Sequence, residues 1–316
     1  MPPRRARRRA RPARRPLLSS VLAAVVVVGG ATAGSVYVKG GAPGGDGAVS
    51  SSPTSSAARA SGETSVKSVV ASGVDGDGSL AAALEDVAVE EGAELSVAVL
   101  DVTSGRSATY GTARFETASI VKADILAALL LQAQDAGREL TAQEEEYAVA
   151  MIEESDNASA SALWRTIGEE AGLDAANERF GLTGTEGGEG GMWGLTRTTA
   201  ADQLVLLRQI FGDGSESLLD ESSRSYLREL MGGVVADQGW GVSAAGSDSA
   251  LKNGWLPRTA TGLWVVNSVG RVTADGDEYL VAVLSRGSTT KEKGITMVEA
   301  AARAAVSAVT ARNAGE

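Results

Sequence analysis

Ser119 and Lys122 stand three positions apart at the start of an apolar segment, TASIVKADILAALLLQ, which covers residues 117–132. Side chains at this spacing lie on the same face of a helix, so the hydroxyl and the amine would project together. A partly buried lysine can become neutral and accept a proton, whereas an arginine stays charged. The pair could therefore supply a nucleophile and its base.

The same spacing has an ordinary structural interpretation, in which the serine caps a helix and the lysine reaches solvent. Two other serine–lysine pairs of the chain share it, so the spacing alone is weak evidence. Only Ser119 opens a strongly apolar helix, whose unpaired N–H groups would favour developing negative charge.

Histidine and cysteine are both absent from the sequence of 316 residues. Ser-His and Cys-His catalysis, imidazole zinc sites, disulfides and thiolate chemistry are therefore excluded. A nucleophilic serine would need Lys, Glu, Asp or Tyr as its base. Lysine itself is scarce, with six residues against 23 arginines, so a lysine at position 122 is unusual.

The N-terminal 15 residues hold eight arginines and no acid, and an apolar run at 17–38 follows them. This order is typical of an export signal, because the positive flank stays in the cytoplasm while the apolar run enters the membrane. Ala31-Thr32-Ala33 resembles a cleavage site, but the run is also about long enough to span a bilayer. We therefore expect residues 1–38 to be a signal peptide or an uncleaved membrane anchor, and the remainder to be extracytoplasmic.

The rest of the chain divides into a linker and one domain. Residues 39–78 are rich in Gly, Ser, Ala and Pro, which predicts a flexible tether, and 79–316 are long enough for a single domain. The patterns predict a helix at about 80–91, strands at 94–102 and 106–111, helices from 119 to about 210 and from 218 to 231, strands at 262–272 and 278–287, and a last helix at 296–312. This order predicts an α+β fold, with terminal helices on one face of an antiparallel sheet and a separate helical lobe.

Two further motifs follow the serine–lysine pair. Ser155-Asp156-Asn157 precedes a new apolar pattern, where one of the three would be expected to cap a helix. Lys252-Asn253-Gly254 contains Asn-Gly, which is the strongest short signal for a hairpin turn. Each motif alone has a structural explanation.

In this order, however, the three motifs resemble the signature S-x-x-K, S-D-N and K-T-G of the class A β-lactamase and D,D-peptidase superfamily of penicillin-binding serine hydrolases. The resemblance extends over about residues 79–316. It implies the β-lactamase-like fold, an antiparallel sheet flanked by N- and C-terminal helices plus an all-helical lobe, and a site in the cleft between them.

The resemblance also implies a role for each matching residue. Ser119 would be acylated after giving its proton to Lys122, and Ser155 would pass a proton to the leaving nitrogen with help from Lys252. The substrate-binding residues would be Asn157, Asn253, Gly254 and Trp255, with the N–H groups of Ser119 and Trp255 forming the oxyanion hole. No metal or organic cofactor is expected.

The sequence departs from the family pattern in three places. The connection from Lys122 to Ser155 is shorter than usual, and Asn253 replaces the usual Thr or Ser. The E-x-x-x-N element expected before Thr198 is absent, leaving Glu186 and Glu189 in a glycine-rich loop as candidate bases for deacylation. We therefore expect slow hydrolysis of the acyl-enzyme.

We expect a monomer that acts on a β-lactam or on a peptidoglycan stem peptide. Two alternatives stay open, a cell-wall D,D-peptidase or amidase and a pseudoenzyme that binds wall peptides without turnover. Without residues 1–33 the chain carries 21 basic and 40 acidic residues, a net charge of 21 − 40 = −19. This charge argues against nucleic acid binding.

Overall fold

A computed structural model describes residues 74–310 of the chain. The predicted signal peptide or anchor at 1–38 and most of the predicted tether lie outside the described residues. Among residues 74–310, no helix combines the length and the apolar character needed to cross a membrane.

An antiparallel sheet of five strands forms the centre of the fold, in the order β2-β1-β7-β6-β5. Its strands are β1 Glu94–Asp101, β2 Ser107–Tyr110, β5 Ser247–Pro257, β6 Trp264–Ala274 and β7 Asp277–Ser288. A separate short pair joins β3 Phe115–Glu116 to β4 Arg197–Thr198. Both predicted strand pairs are confirmed, and the N-terminal hairpin meets the C-terminal strands through β1 and β7.

The helices are α1 Val74–Leu84, α2 Val121–Asp135, α3 Ala142–Glu153, α4 Asn157–Ile167, α5 Glu169–Phe180, α6 Ala200–Phe211, α7 Glu221–Gly232 and α8 Lys291–Thr310. The first and last of them pack on one face of the sheet, and the others form the helical lobe. Alternation along β7 separates the two cores, because Val281 and Val283 face α8 while Leu280 and Ala282 face the lobe. The predicted α+β, β-lactamase-like architecture is confirmed.

Helix α1 corrects the expectation of a helix at about 80–91. It begins at Val74 and ends at Leu84, so the last residues of the predicted tether are helical. The Asp77 carboxylate accepts hydrogen bonds from the N–H and the hydroxyl of Thr109, at 2.7 and 3.3 Å, which ties this end of the helix to β2. Contacts with the folded domain thus override the glycine-rich composition of VDGDGSLAAAL.

Helix α2 is the central helix of the lobe. Twelve of its residues are buried, including Lys122 and Asp124, which are polar. It continues directly from a 3-10 turn at Ala118–Ile120, so the chain reaches Ser119 immediately before entering the core.

Candidate active site

Ser119 is the partly accessible member of a buried segment. Its neighbours Thr117, Ala118, Ile120 and Val121 are buried, whereas Ser119 itself is partly accessible to solvent. Ala118 has a φ of 48°, a left-handed conformation that costs free energy for a residue with a Cβ atom. Strain next to an accessible serine is typical of a functional site.

Asn267 on β6 holds the backbone that leads to Ser119. This fully buried side chain donates hydrogen bonds to the carbonyl groups of Glu116 and Thr117, at 2.8 and 3.0 Å. Its oxygen accepts the N–H of Ser285 on β7 at 2.9 Å. Asn267 is not among the residues predicted from the sequence, although a polar residue inside the apolar strand WVVNSVGRV could have indicated it.

Lys122 is fully buried, and its amine makes three hydrogen bonds. They join Nζ to the Ser155 carbonyl oxygen at 2.7 Å, to the Ser155 hydroxyl at 3.0 Å and to the Asn157 side-chain oxygen at 2.8 Å. An ammonium group has three N–H donors, so these partners account for its full donor capacity.

Lys252 approaches the same hydroxyl from β5. Its fully buried amine lies 3.1 Å from the Ser155 hydroxyl oxygen. The backbone of Ser155 has a φ of 57°, so the residue that meets both amines is held in an uncommon conformation. One serine hydroxyl therefore bridges two buried lysines.

Burial lowers the pKa values of both amines. Burial lowers the pKa of Lys122 to about 8, although the charge of Asp156 favours the protonated form. Burial and then the charge of Lys122 lower the pKa of Lys252 to about 7. Both amines can exchange protons near neutral pH, as acid–base catalysis requires.

The three residues Ser155-Asp156-Asn157 have separate roles. Asp156 alone caps helix α4, accepting the N–H of Ser159 at 2.7 Å. Ser155 and Asn157 direct their side chains to Lys122 instead. This division explains why three capping-type residues occur together.

Lys252-Asn253-Gly254 lies in the middle of strand β5, not in a turn. Gly254 is required there, because an added Cβ atom would lie 2.7 Å from the Ser119 nitrogen and 2.7 Å from the Thr117 carbonyl oxygen. The absent side chain lets β5 run directly against the Ser119 turn. The backbone of Lys252-Asn253-Gly254 therefore packs against the turn that contains Ser119.

Asn253, expected from the sequence to bind substrate, holds the loop before β5 in this structure. Its side-chain nitrogen donates to the carbonyl groups of Gln238 and Trp240, both at 2.8 Å, and the residue is buried. These bonds fix the loop before β5 and use both amide hydrogens. A direct contact between this amide and a substrate carboxylate would require breaking one of them.

The aromatic rings near β5 point away from the lysine pair. The Lys291 amine of α8 lies 3.7 Å from the centre of the Trp255 ring, and the Trp240 ring packs beside it with centres 5.9 Å apart. Any part of Trp255 in catalysis would thus come from its backbone.

The structure does not bring Glu186 or Glu189 to this group of residues. Both are exposed, and Glu186 forms an ion pair with Arg114 at 3.6 Å on the surface. The loop instead presents Trp193, whose ring centre lies 4.9 Å from the Lys122 amine. Among the described residues, no group of three or more Asp or Glu side chains is placed to hold a metal ion.

Family comparison agrees with this arrangement. A profile described as the Beta-lactamase enzyme family matches residues 131–309, more than half of the chain. The chain belongs to the beta-lactamase enzyme family. The matched region includes Ser155, Asn157 and Lys252, while Ser119 and Lys122 precede it and are joined to it by the contacts above.

Curated relatives of this beta-lactamase family member include the proteins named "Putative lipoprotein LppW" of Mycobacterium tuberculosis and Mycobacterium bovis. Each is 34% identical over 135 residues, which make up 42% of this chain and 42% of the relative. The match therefore spans less than half of the length of these relatives.

Solved structures of the same fold include PBP-A, at 20% identity with a TM-score of 0.62, covering 74% of this chain and 96% of the other. TLA-1 extended spectrum beta-lactamase matches with 17% identity and a TM-score of 0.65, covering 74% and 99%. A beta-lactamase from Xanthomonas campestris matches with 22% identity and a TM-score of 0.62, covering 74% and 98%. At these identities the likeness shows the fold.

Proposed function

We propose that this protein is an exported serine hydrolase, acylated on Ser119 by β-lactams or by amides that resemble acyl-D-Ala-D-Ala. The observation that carries the proposal is the Ser155 hydroxyl, which bridges the buried amines of Lys122 and Lys252 at 3.0 and 3.1 Å, with the partly accessible Ser119 three residues before Lys122 in the chain. One similar structure is an acyl-enzyme complex of a PBP-A mutant with penicillin-G, which supports the same chemistry here.

Acylation would begin when neutral Lys122 takes the proton of Ser119 and the freed oxygen attacks the amide carbonyl carbon. The oxyanion would be stabilised by the N–H groups of Ser119 and Trp255, since Gly254 lets the two backbones approach. The C–N bond then breaks, and the leaving nitrogen takes a proton from the Ser155 hydroxyl, which recovers one from a neighbouring ammonium group. The products are an ester on Ser119 and the released or ring-opened amine.

Deacylation would be the slow step. Hydrolysis of the ester needs an activated water, and a positioned general base is worth about 10² to 10⁴ in rate. Glu186 and Glu189 are exposed, and Glu186 pairs with Arg114, so neither is held as a base beside Ser119. The adduct would accordingly persist.

We also propose that the protein acts outside the cytoplasm as a monomer. The relatives named LppW are called lipoproteins, but this sequence has no cysteine to carry a lipid. Attachment to the membrane would instead use the apolar run at 17–38, unless that run is cleaved.

Intact mass measured before and after incubation with a penicillin tests the acylation. The wild type should gain one penicillin mass, Ser119→Ala should gain none, and Lys122→Arg should gain almost none because guanidinium cannot accept the proton. Unchanged labelling of Ser119→Ala would disprove the nucleophile. A wild type that binds penicillin without a mass gain would be the pseudoenzyme.

Mixing the enzyme with excess chromogenic cephalosporin tests the slow step. We expect a burst equal to the enzyme concentration, followed by slow turnover that Glu186→Gln and Glu189→Gln leave unchanged. Rapid hydrolysis lost in either variant would mean that the loop supplies the base. Release of D-Ala from an acyl-D-Ala-D-Ala peptide, measured in parallel, separates the peptidase from the β-lactamase.

A further inference from the structure

Trp193 lies in a 3-10 turn, Trp193–Leu195, that contacts the 3-10 turn of Ser119. The two segments are joined by a hydrogen bond from the Thr117 N–H to the Thr196 carbonyl at 2.8 Å and by the β3–β4 pair. The turn around Trp193 is thus attached to the residues that position the nucleophile.

The Trp193 ring is held by one hydrogen bond through its N–H group and by one contact through its face. Its Nε1 donates to the Ser161 hydroxyl of α4 at 3.1 Å, and Ser161 in turn donates to the Asn157 carbonyl at 2.9 Å. Its face lies 4.9 Å from the Lys122 amine, within range of a cation–π interaction. Trp193 therefore links the glycine-rich loop to the amine and to the helix turn that holds it.

The loop is folded firmly enough to keep the ring in place. The N–H of Gly187 donates to the Asp174 carboxylate at 2.7 Å, and that of Gly188 donates to the Thr196 hydroxyl at 3.0 Å. An added Cβ atom on Gly188 would lie 2.2 Å from the Met192 carbonyl oxygen, so this tight turn requires glycine.

We propose that Trp193 is a positioning residue that covers Lys122 and keeps water from using this amine as a base, so that it sets the lifetime of the acyl-enzyme. Lys122 follows Ser119 by three residues in the same helical segment, and its amine would be a proton acceptor for a water molecule that attacks the ester. A water molecule beside its amine could be activated to attack the ester. The indole occupies one approach to that amine with an apolar surface.

The proposal rests on the proposed acylation of Ser119, and the experiment separates the two. Penicillin is added to purified full-length protein, excess reagent is removed, and loss of the adduct is followed by intact mass in buffer and in buffer with hydroxylamine. Hydroxylamine is a small nucleophile that reports access to the ester without needing a strong base. No adduct in the wild type would refute the proposed function. An adduct whose decay is unaltered in Trp193→Ala would refute the role of Trp193.

Trp193→Ala removes the cover, and we expect the adduct to decay at least about tenfold faster in buffer, a fraction of what a full general base provides. Trp193→Phe keeps an aromatic face and loses the N–H, so decay should stay within about threefold of the wild type if the face is what matters. Ser161→Ala removes the acceptor of the indole N–H and a donor to the Asn157 carbonyl but leaves the ring in place, so it is the matched control, with little effect on decay expected.

A readout that a purely structural role would not change is the pH dependence of acylation. Burial is the main cause that lowers the pKa of Lys122, and the Trp193 ring, centred 4.9 Å from the amine, covers it. The charge of Asp156 favours the protonated amine, while Lys252 shares the Ser155 hydroxyl with it. Trp193→Ala admits water and relieves this burial, so it should raise the pKa of Lys122 and shift the rise of the acylation rate to higher pH, whereas Ser161→Ala should not. Equal decay and equal pH profiles in wild type, Trp193→Ala and Trp193→Phe, with all three folded by circular dichroism, would overturn the proposal.

Discussion

The amine of Lys252 lies 3.1 Å from the hydroxyl oxygen of Ser155, although 97 positions separate the two residues in sequence. The same oxygen is 3.0 Å from Lys122. Two cations around one hydroxyl repel each other, so the group as a whole favours the loss of one proton. Whichever amine is neutral, Ser155 connects it to the other.

The rate of acylation by penicillin should rise with pH across neutrality. A neutral lysine is needed, and the pKa values of Lys122 and Lys252 are lowered to about 8 and about 7, so the rate should increase from pH 6 and level off above about pH 8. Rate constants from pH 5.5 to 9.5 measure this. A rate that first rises above pH 9 would indicate an ordinary solvated lysine as the base.

Asn253→Thr should destabilise the protein without improving acylation. The change restores the residue that the family usually has at this position. It also removes two donors from the carbonyl groups of Gln238 and Trp240, at a cost of about 1 to 3 kcal/mol. Urea unfolding and the penicillin labelling rate test both parts. Faster labelling with unchanged stability would show that the loop does not depend on Asn253.

Asn267→Ala should slow acylation as well as destabilise the fold. It leaves the carbonyl groups of Glu116 and Thr117 without their donors and frees the backbone before Ser119. The matched control is Ser268→Ala, the adjacent and equally buried residue, whose hydroxyl accepts the N–H of Val242 in a different loop. Similar losses of acylation in both variants, at equal stability, would mean that Asn267 has no specific effect on the nucleophile.

The sequence contains the three motifs, and its apolar periodicity predicted that strands from both ends of the domain would form one antiparallel sheet. It did not predict strand β5. Its central residues Lys252-Asn253-Gly254 have the sequence pattern of a turn. They are extended in the structure because they pair with β6 and pack closely against Ser119. Distant contacts also decide the role of Trp193, whose neighbours Lys122 and Ser161 belong to two other helices.

A buried carboxyl group two residues after Lys122 should make the stability of the fold depend on pH. Asp124 is 1% exposed, and burial raises its pKa to about 7, with the nearby charge of Asp202 acting in the same direction. Its Oδ1 accepts a hydrogen bond from the Gln203 side chain at 3.2 Å, while its Oδ2 and the Gln203 Oε1 have no partner. A proton on Oδ2 would let these two atoms pair as a carboxylic acid and an amide.

The sign of the effect follows from the two states. The unfolded chain releases this proton near its ordinary pKa of 3.8, whereas the folded protein holds it until about pH 7. The contribution of Asp124 to stability is therefore full below about pH 4, declines as the pH rises to about 7, and is constant above that. At about 1.4 kcal/mol for each pH unit, the loss amounts to a few kcal/mol.

Asp124→Asn should remove this decline, because the amide is neutral at every pH and its N–H group can donate to the Gln203 Oε1 atom. Compared with the wild type, the variant should have a similar urea midpoint at pH 4 and a higher one at pH 8. Asp202→Asn is a comparison variant: its carboxylate accepts the Gly184 N–H and the Thr185 hydroxyl, both at 2.7 Å, so its loss should destabilise the loop, and removal of its charge should lower the pKa of Asp124 without abolishing the decline. If the midpoints of wild type and Asp124→Asn run parallel from pH 4 to 8, Asp124 is ionised in the folded protein and the acid–amide pair does not form.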